Sequence, residues 1–221
     1  EEKVLNLWQG LGYYSRGRNL HFSAKMVMKD YDGVFPTHYN DLIKLKGVGE
    51  YTAAAIASFS RNQKVAVVDG NVIRVITRFL GIEDDVSDRK TLKFLQKLAA
   101  DFLPNNNVNT HNQAIMEFGA LQCKPKSPNC DVCPLIKSCK AYNDGKVNVL
   151  PFKKKKVKVT ERFFNYFVFQ TKESLLINKR VEKGIWFNLH DFPMLETDCL
   201  LHFDDELIKN YIQKKINNNS F

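Results

Sequence analysis

No stretch of this sequence approaches the ~20 consecutive apolar residues that a membrane-spanning helix needs. The opening E-E-K-V-L-N-L-W has neither the basic start nor the apolar core of a secretion signal. No membrane partner is expected, and the setting is expected to be cytoplasmic and reducing. Acids are scarce beside bases: 24 Asp and Glu against 33 Lys and Arg leave a formal net charge of +9. That deficit points to an anionic partner, of which nucleic acid is the commonest for a soluble protein, although solubility alone is the plainer reading. Cysteine is nearly absent outside one loop: Cys199 stands alone, while Cys123, Cys130, Cys133 and Cys139 lie together. Such clustering in a reducing compartment indicates metal rather than disulfides. An initiating methionine is also lacking. The chain starts at Glu1 within a helical apolar pattern (Val4, Leu5, Trp8, Leu11), so it is expected to be a fragment of a longer protein.

What is present centres on Lys46 to Arg74, K-G-V-G-E-Y-T-A-A-A-I-A-S-F-S followed by V-A-V-V-D-G-N-V-I-R. Leu42, Ile43 and Leu45 predict a short helix capped by Thr37, and Glu50 to Ser60 a longer Ala-rich one. Two helices joined by Gly47-Val48-Gly49 form a helix-hairpin-helix, whose turn can offer unpaired backbone N–H groups to a phosphate. Contacts of that kind fix register without reading sequence. Val65 to Val68 then reads as a buried extended connector ending at Asp69. That acid can cap the helix from Val72 to Leu80, and it can also act on a ligand held nearby. The two roles are compatible.

Upstream, G-L-G-Y-Y-S-R-G-R (Gly10 to Arg18) interleaves aromatic and basic residues in a Gly-rich turn. Such a turn can insert into a base stack while gripping phosphates, or its tyrosines can simply pack. Leu20, Ala24, Val27, Met28 and Tyr31 predict one amphipathic helix ending near Asp32-Gly33, with Met28 and Tyr31 in the core. Asp88 caps a helix through Phe102, and an Asn-rich loop leads into another from Asn112 to Leu121. The spacing C-x6-C-x2-C-x5-C suits tetrahedral zinc or an iron-sulfur cluster, and the single C-x2-C knuckle favours the cluster. Lys124, Lys126 and Lys137 could bring that loop to phosphates.

From Gly145 to Val159 a Pro-containing lysine-rich run reads as a solvated tether that adds salt-sensitive affinity for DNA. Beyond it, R-F-F-N-Y-F-V-F-Q and S-L-L-I-N-K-R predict strands flanking a turn at Thr171-Lys172-Glu173, followed by G-I-W-F-N-L-H-D-F-P and a helix-like stretch to Phe221. Some sixty residues is short for an independent α+β domain.

Five motifs in order, W-Q-G-L-G-Y-Y-S-R-G-R-N-L, L-K-G-V-G-E-Y-T-A-A-A-I-A-S, V-V-D-G-N-V-I-R-V, N-Q-A-I-M-E-F-G-A and the four-cysteine loop, closely resemble the adenine DNA glycosylase (MutY) family. It belongs to the helix-hairpin-helix glycosylases and excises adenine mispaired with 8-oxoguanine or guanine. The resemblance implies a mainly α fold. A helix-hairpin-helix glycosylase region with a 4Fe-4S cluster loop (1–142) would be followed by a basic linker (143–159) and an incomplete α+β Nudix-like domain (160–221). It implies that Cys123, Cys130, Cys133 and Cys139 hold the cluster, and that Asp69 stabilises the cationic sugar formed as the glycosidic bond breaks. Asn71 would position Asp69, Tyr51 would lie near the reacting sugar, and Tyr13 would wedge into the duplex while Gly47, Val48 and Gly49 meet its backbone. The partner would be double-stranded DNA bearing A:8-oxoguanine or A:G, the protein a nucleoid-associated monomer.

Two departures qualify the resemblance. Tyr51 stands where lyase relatives of the endonuclease III type carry a Schiff-base lysine, and V-D-G-N replaces their V-D-T-H, so a monofunctional glycosylase is expected. No residue matches the glutamate that protonates the departing adenine, and the loop that recognises 8-oxoguanine would lie beyond Phe221. The chain alone is therefore expected to be slow or inactive, with DNA affinity retained. The clustered glutamates of Nudix hydrolysis are absent. The rivals are a glycosylase-lyase and a non-catalytic DNA-binding module stabilised by zinc.

Overall fold

A carboxylate satisfies free first-turn N–H groups at two of the helix starts here. The computed structural model describes residues 1–154, 159–182, 184 and 186–218. Helices α1 (Glu2–Leu7) and α2 (Ser15–Asp30) flank the Gly-rich turn, and α3 (Tyr39–Leu42) and α4 (Glu50–Arg61) flank the hairpin. Helix α5 (Gly70–Leu80) starts on Asp69 and α6 (Arg89–Asp101) on Asp88, each carboxylate accepting from two first-turn N–H groups. Helix α7 (Val108–Leu121) and the short α8 (Lys140–Asn143) follow. The chain divides into two compact units, Glu1–Lys155 and Lys156–Phe221. None of the described helices is long and apolar enough to cross a membrane.

Two apolar clusters hold the first unit. Val27, Leu42, Leu45, Ala53 and Ala57 join α2 to α3 and α4, while Val72, Ile76, Leu95 and Ala99 join α5 to α6. Helix α5 also lies against α7, and the approach is closest at Gly119. A Cβ added there would stand 2.7 Å from the Asn71 Cβ and 2.9 Å from its carbonyl oxygen. Backbone cannot yield as a flexible side chain would, so Gly119→Ala is expected to push the helices apart and cost about 1–3 kcal/mol. Chemical denaturation measures this; an unchanged midpoint would remove Gly119 as the contact that sets the spacing.

Several expectations need correction. Of the predicted α2 face only Val27 is buried; Met28 is 70% and Leu20 58% exposed. Helix α2 meets the first apolar cluster through Val27 and Met26, and Tyr31 just beyond it packs there as expected, so the contact face is turned away from Leu20 and Met28. His38, not Thr37, occupies the N-cap of α3, and no side chain caps it. Helix α7 starts at Val108 rather than Asn112, because Val108 is buried and anchors an extra turn after the left-handed Asn107. The tether is not free over 143–154. Leu150 is buried, its carbonyl accepts from Arg78 Nε at 2.9 Å, and the Phe152 carbonyl accepts from the Val86 N–H at 3.0 Å. The rest of the lysine run, 155–158, lies outside the described residues, as do Ile185 of the G-I-W motif and Phe221.

The second unit contains β1 (Phe163–Tyr166), β2 (Asn178–Lys179), β3 (His190–Asp191), β4 (Met194–Thr197) and α9 (Glu206–Asn218). The predicted turn closes, with Gln170 bridging Leu175, but the named strands pair elsewhere: β1 runs antiparallel to β4 and β2 to β3. The Asn165 amide reaches the Leu195 carbonyl and the Thr197 hydroxyl, each at 3.1 Å, and Arg162 pairs with Glu196. These cross-strand contacts tie β1 to a segment some thirty residues on, which alternation within one strand cannot reveal.

Candidate active site and cysteine hollow

The hairpin turn is fixed from both sides. Gly47 has φ +81°, and a Cβ there would stand 2.7 Å from the Asn19 side chain. The Lys46 carbonyl accepts from Ser23 Oγ of α2 at 2.8 Å. Val48 does not present a free N–H as expected: it donates to the Leu45 carbonyl at 3.1 Å, and its side chain packs on the first apolar cluster. The open donors lie in the first turn of α4. Gly49 sits at its N-cap with no side chain to accept from them, and no other side chain caps the helix. Those N–H groups, backed by the helix dipole, suit an anion.

Tyr13 stands at the tip of the other turn with φ +47° and is 82% exposed. The Trp8 indole donates to the Gly12 carbonyl at 3.0 Å, and the Arg16 guanidinium lies 5.6 Å from the centres of both the Trp8 and Tyr13 rings. An aromatic ring is thereby held out beside a cation.

At the start of α5, Asp69 Oδ1 accepts from the Asn71 and Val72 N–H groups, both at 2.8 Å. Its Oδ2 accepts from Asn71 Nδ2 at 2.8 Å. Asn71 Oδ1 in turn accepts from Arg74 Nη2 at 2.8 Å, which fixes the amide's orientation. Asp69 and Asn71 thus form one unit, and the carboxylate keeps lone pairs free beyond those three bonds. Tyr51 lines a hollow of about 310 Å³ together with Tyr39, Glu50, Gln96 and Val68, the residue preceding Asp69. Burial, then the neighbouring Glu50, raises the Tyr39 phenol above its ordinary value, so it stays a donor.

Sequence reasoning missed Arg74 and Arg78, whose signal was two arginines one turn apart in an otherwise apolar helix. Arg74 Nε donates to the Cys123 carbonyl at 2.7 Å and its Nη2 to the Gly119 carbonyl at 2.6 Å. Arg78 is 2% exposed. Its guanidinium donates to the carbonyls of Lys124 (2.7 Å), Pro125 (3.1 Å) and Leu150 (2.9 Å), and Nη1 lies 3.4 Å from Cys123 Sγ. Cys123, Cys130, Cys133 and Cys139 line a single small hollow with Arg78 on its wall. Burial first, then the other three thiols, pushes the Cys130 thiol up. Among the described residues no three His, Cys, Asp or Glu side chains stand close enough to grip one metal ion.

Comparisons with known proteins agree with this architecture. The pattern of the HhH-GPD superfamily base excision DNA repair proteins matches residues 1–101. The adenine DNA glycosylase of Buchnera aphidicola subsp. Schizaphis graminum is 39% identical over 89% of this chain and 56% of its own length. That of Buchnera aphidicola subsp. Acyrthosiphon pisum is 34% identical over 99% of this chain and 61% of its own. The chain therefore spans little more than half the length of these curated relatives. A thermostable thymine-DNA glycosylase of known structure superposes with a TM-score of 0.58 at 31% identity, covering 65% of this chain and 66% of that one. With this helical fold and the carboxylate-capped α5, residues 1–101 match the HhH-GPD superfamily of base excision DNA repair proteins, and the chain is similar over most of its length to adenine DNA glycosylases.

Proposed function

We propose that this chain carries the core of a monofunctional DNA glycosylase of base excision repair, which hydrolyses the N-glycosidic bond of adenine mispaired with 8-oxoguanine or guanine. The observation that carries this reading is the Asp69 carboxylate, oriented through both oxygens by Asn71 and Val72 at the start of α5. The bare first turn of α4 receives a backbone phosphate, and Tyr13 enters the stack as the target nucleotide leaves it. As the C1′–N9 bond breaks, its electron pair goes to adenine and positive charge develops on the sugar. Asp69 stabilises that charge from a fixed position, with no reorganisation at the moment of reaction. Water then adds at C1′ and loses a proton, while adenine leaves with one gained. Tyr51 carries no amine, so no Schiff base forms and the strand stays intact.

The four cysteines are read as ligands of a 4Fe-4S cluster. The donor set supports this: four thiols, with no imidazole or carboxylate among the lining residues, share one hollow, and thiolates are the usual ligands of iron-sulfur clusters. When bound, the cluster braces the loop and adds a redox-active centre there. The second unit is read as part of a Nudix-like domain, and the protein as a monomer on double-stranded DNA.

The test is single-turnover incubation with an A:8-oxoguanine duplex, with borohydride present in a parallel sample, for this chain and for one extended to the length of its curated relatives. Adenine release without a trapped adduct supports the reading. A covalent adduct would make the protein a lyase. Zinc at one per chain, without the broad visible absorbance of iron-sulfur, would favour the non-catalytic module.

A further inference from the structure

We infer that Asn112 is the positioning residue for Asp69, acting through the connector that delivers it; the inference rests on the role proposed for Asp69. Asn112 is 2% exposed on α7. Its Nδ2 donates to the Val65 carbonyl and to Ser58 Oγ, both at 2.9 Å, and its Oδ1 accepts from the Val67 N–H at 3.1 Å. In an extended chain the carbonyl of one residue and the N–H two positions later point to the same side. Those are the two groups that a single residue of a parallel neighbouring strand would bond. Among the described residues no strand lies beside 65–68, so one side-chain amide stands in for the missing ladder. Without it, two polar backbone groups beside the buried Val67 would lose their partners.

The placement matters because Asp69 lies two residues beyond Val67. A one-residue slip of an extended segment exchanges its two faces, which would turn Val67 out of the core and draw Asp69 off the start of α5. Helix α7 guards the other side as well. Gly119, seven residues and so about two turns after Asn112 on the same face, receives Asn71. One helix face therefore holds the chain two residues before Asp69 and two residues after it.

The test uses the full chain with its metal, comparing Asn112→Leu, Asn112→Asp and Ser58→Ala with the native protein. Asn112→Leu keeps the volume and removes all three bonds. Ser58→Ala removes one bond to the same amide and leaves the connector's clamp intact. Hydrogen exchange at Val67, and at the Asn71 and Val72 amides that Asp69 caps, is expected to quicken by about 100-fold in Asn112→Leu and to stay near native in Ser58→Ala. Adenine release is expected to fall by about 10- to 100-fold in Asn112→Leu, with affinity for an uncleavable duplex retained. Asn112→Asp supplies a third readout. Its protonated carboxyl keeps one donor for the Val65 carbonyl and one acceptor for the Val67 N–H, the two bonds to the connector, and loses only the donor to Ser58; burial favours that neutral form. Measured against native protein at each pH, Val67 protection and release should both recover as pH falls.

Native exchange at Asn71 and Val72 in Asn112→Leu would overturn the inference. So would equal losses in Ser58→Ala, or a Val67 amide that opens without any fall in rate. Absence of adenine release by a chain extended to the length of its curated relatives would defeat the proposed function instead, leaving the exchange at Asn71 and Val72 to decide the role of Asn112. If Asn112→Leu does not fold, the pH recovery of Asn112→Asp decides it.

Discussion

Asp69→Asn is expected to slow adenine release from an A:8-oxoguanine duplex by about 10²- to 10³-fold while leaving stability nearly unchanged. The substitution separates two functions that share one side chain. As a cap, asparagine is about as good as aspartate, because its carbonyl oxygen can still accept from the Asn71 and Val72 N–H groups. As a counter-charge it is useless, since a neutral amide cannot offset a cationic sugar. Single-turnover rates and thermal unfolding, taken on the same preparations, check both halves. Retained rate with retained stability would return Asp69 to a purely structural role. A large loss of stability would mean that Asn71, whose Nδ2 must then face an amide, rearranges and takes the helix start with it.

Arg78→Ala has the larger expected effect on folding, about 3–5 kcal/mol, together with loss of iron from the hollow. The guanidinium is buried, and its donors reach three carbonyls from two separate segments, Lys124 and Pro125 on the cysteine loop and Leu150 beyond α8. Removing it leaves three acceptors without partners and takes the fixed positive charge from beside Cys123. Arg78→Lys should recover only part of the loss, because an ammonium is a point donor and cannot span the same fork of carbonyls. Denaturant unfolding gives the stability, and visible absorbance per chain gives the iron. Full iron content in Arg78→Ala would show that the loop holds its shape without α5.

Much of this molecule could be read from its residues because the informative signals are local. A carboxylate before a helical pattern announces a cap, and Asp69 and Asp88 both fulfil it. A glycine pair between two helical runs announces the hairpin. What stayed hidden depends on chain brought from far away. The open N–H groups of the hairpin moved from Val48 into α4, since the Leu45 carbonyl claims the Val48 donor. Met28 was expected inside, yet no element among the described residues covers it, and periodicity cannot say how wide a partner's footprint will be. The strand partners stayed hidden for the same reason: a turn at Thr171 can be seen in sequence, whereas the pairing of Phe163 with Thr197 cannot. Asn112 looked like the first residue of a helix because asparagine is common there. Its bond to a connector 45 positions earlier exists only in three dimensions.

Helix α5 works as a ruler. Asp69 marks its origin, and Asn71, Arg74 and Arg78 are graduations on one rigid rod that reaches the cysteine loop about 13 Å along the axis. Rigid rods transmit length errors without absorbing them. One residue inserted between Asn71 and Arg74 would advance everything beyond it by about 1.5 Å and rotate it by about 100°, turning both arginines away from their carbonyls. Surface loops tolerate changes of length, but between the acid and the second arginine the count of residues is itself a constraint.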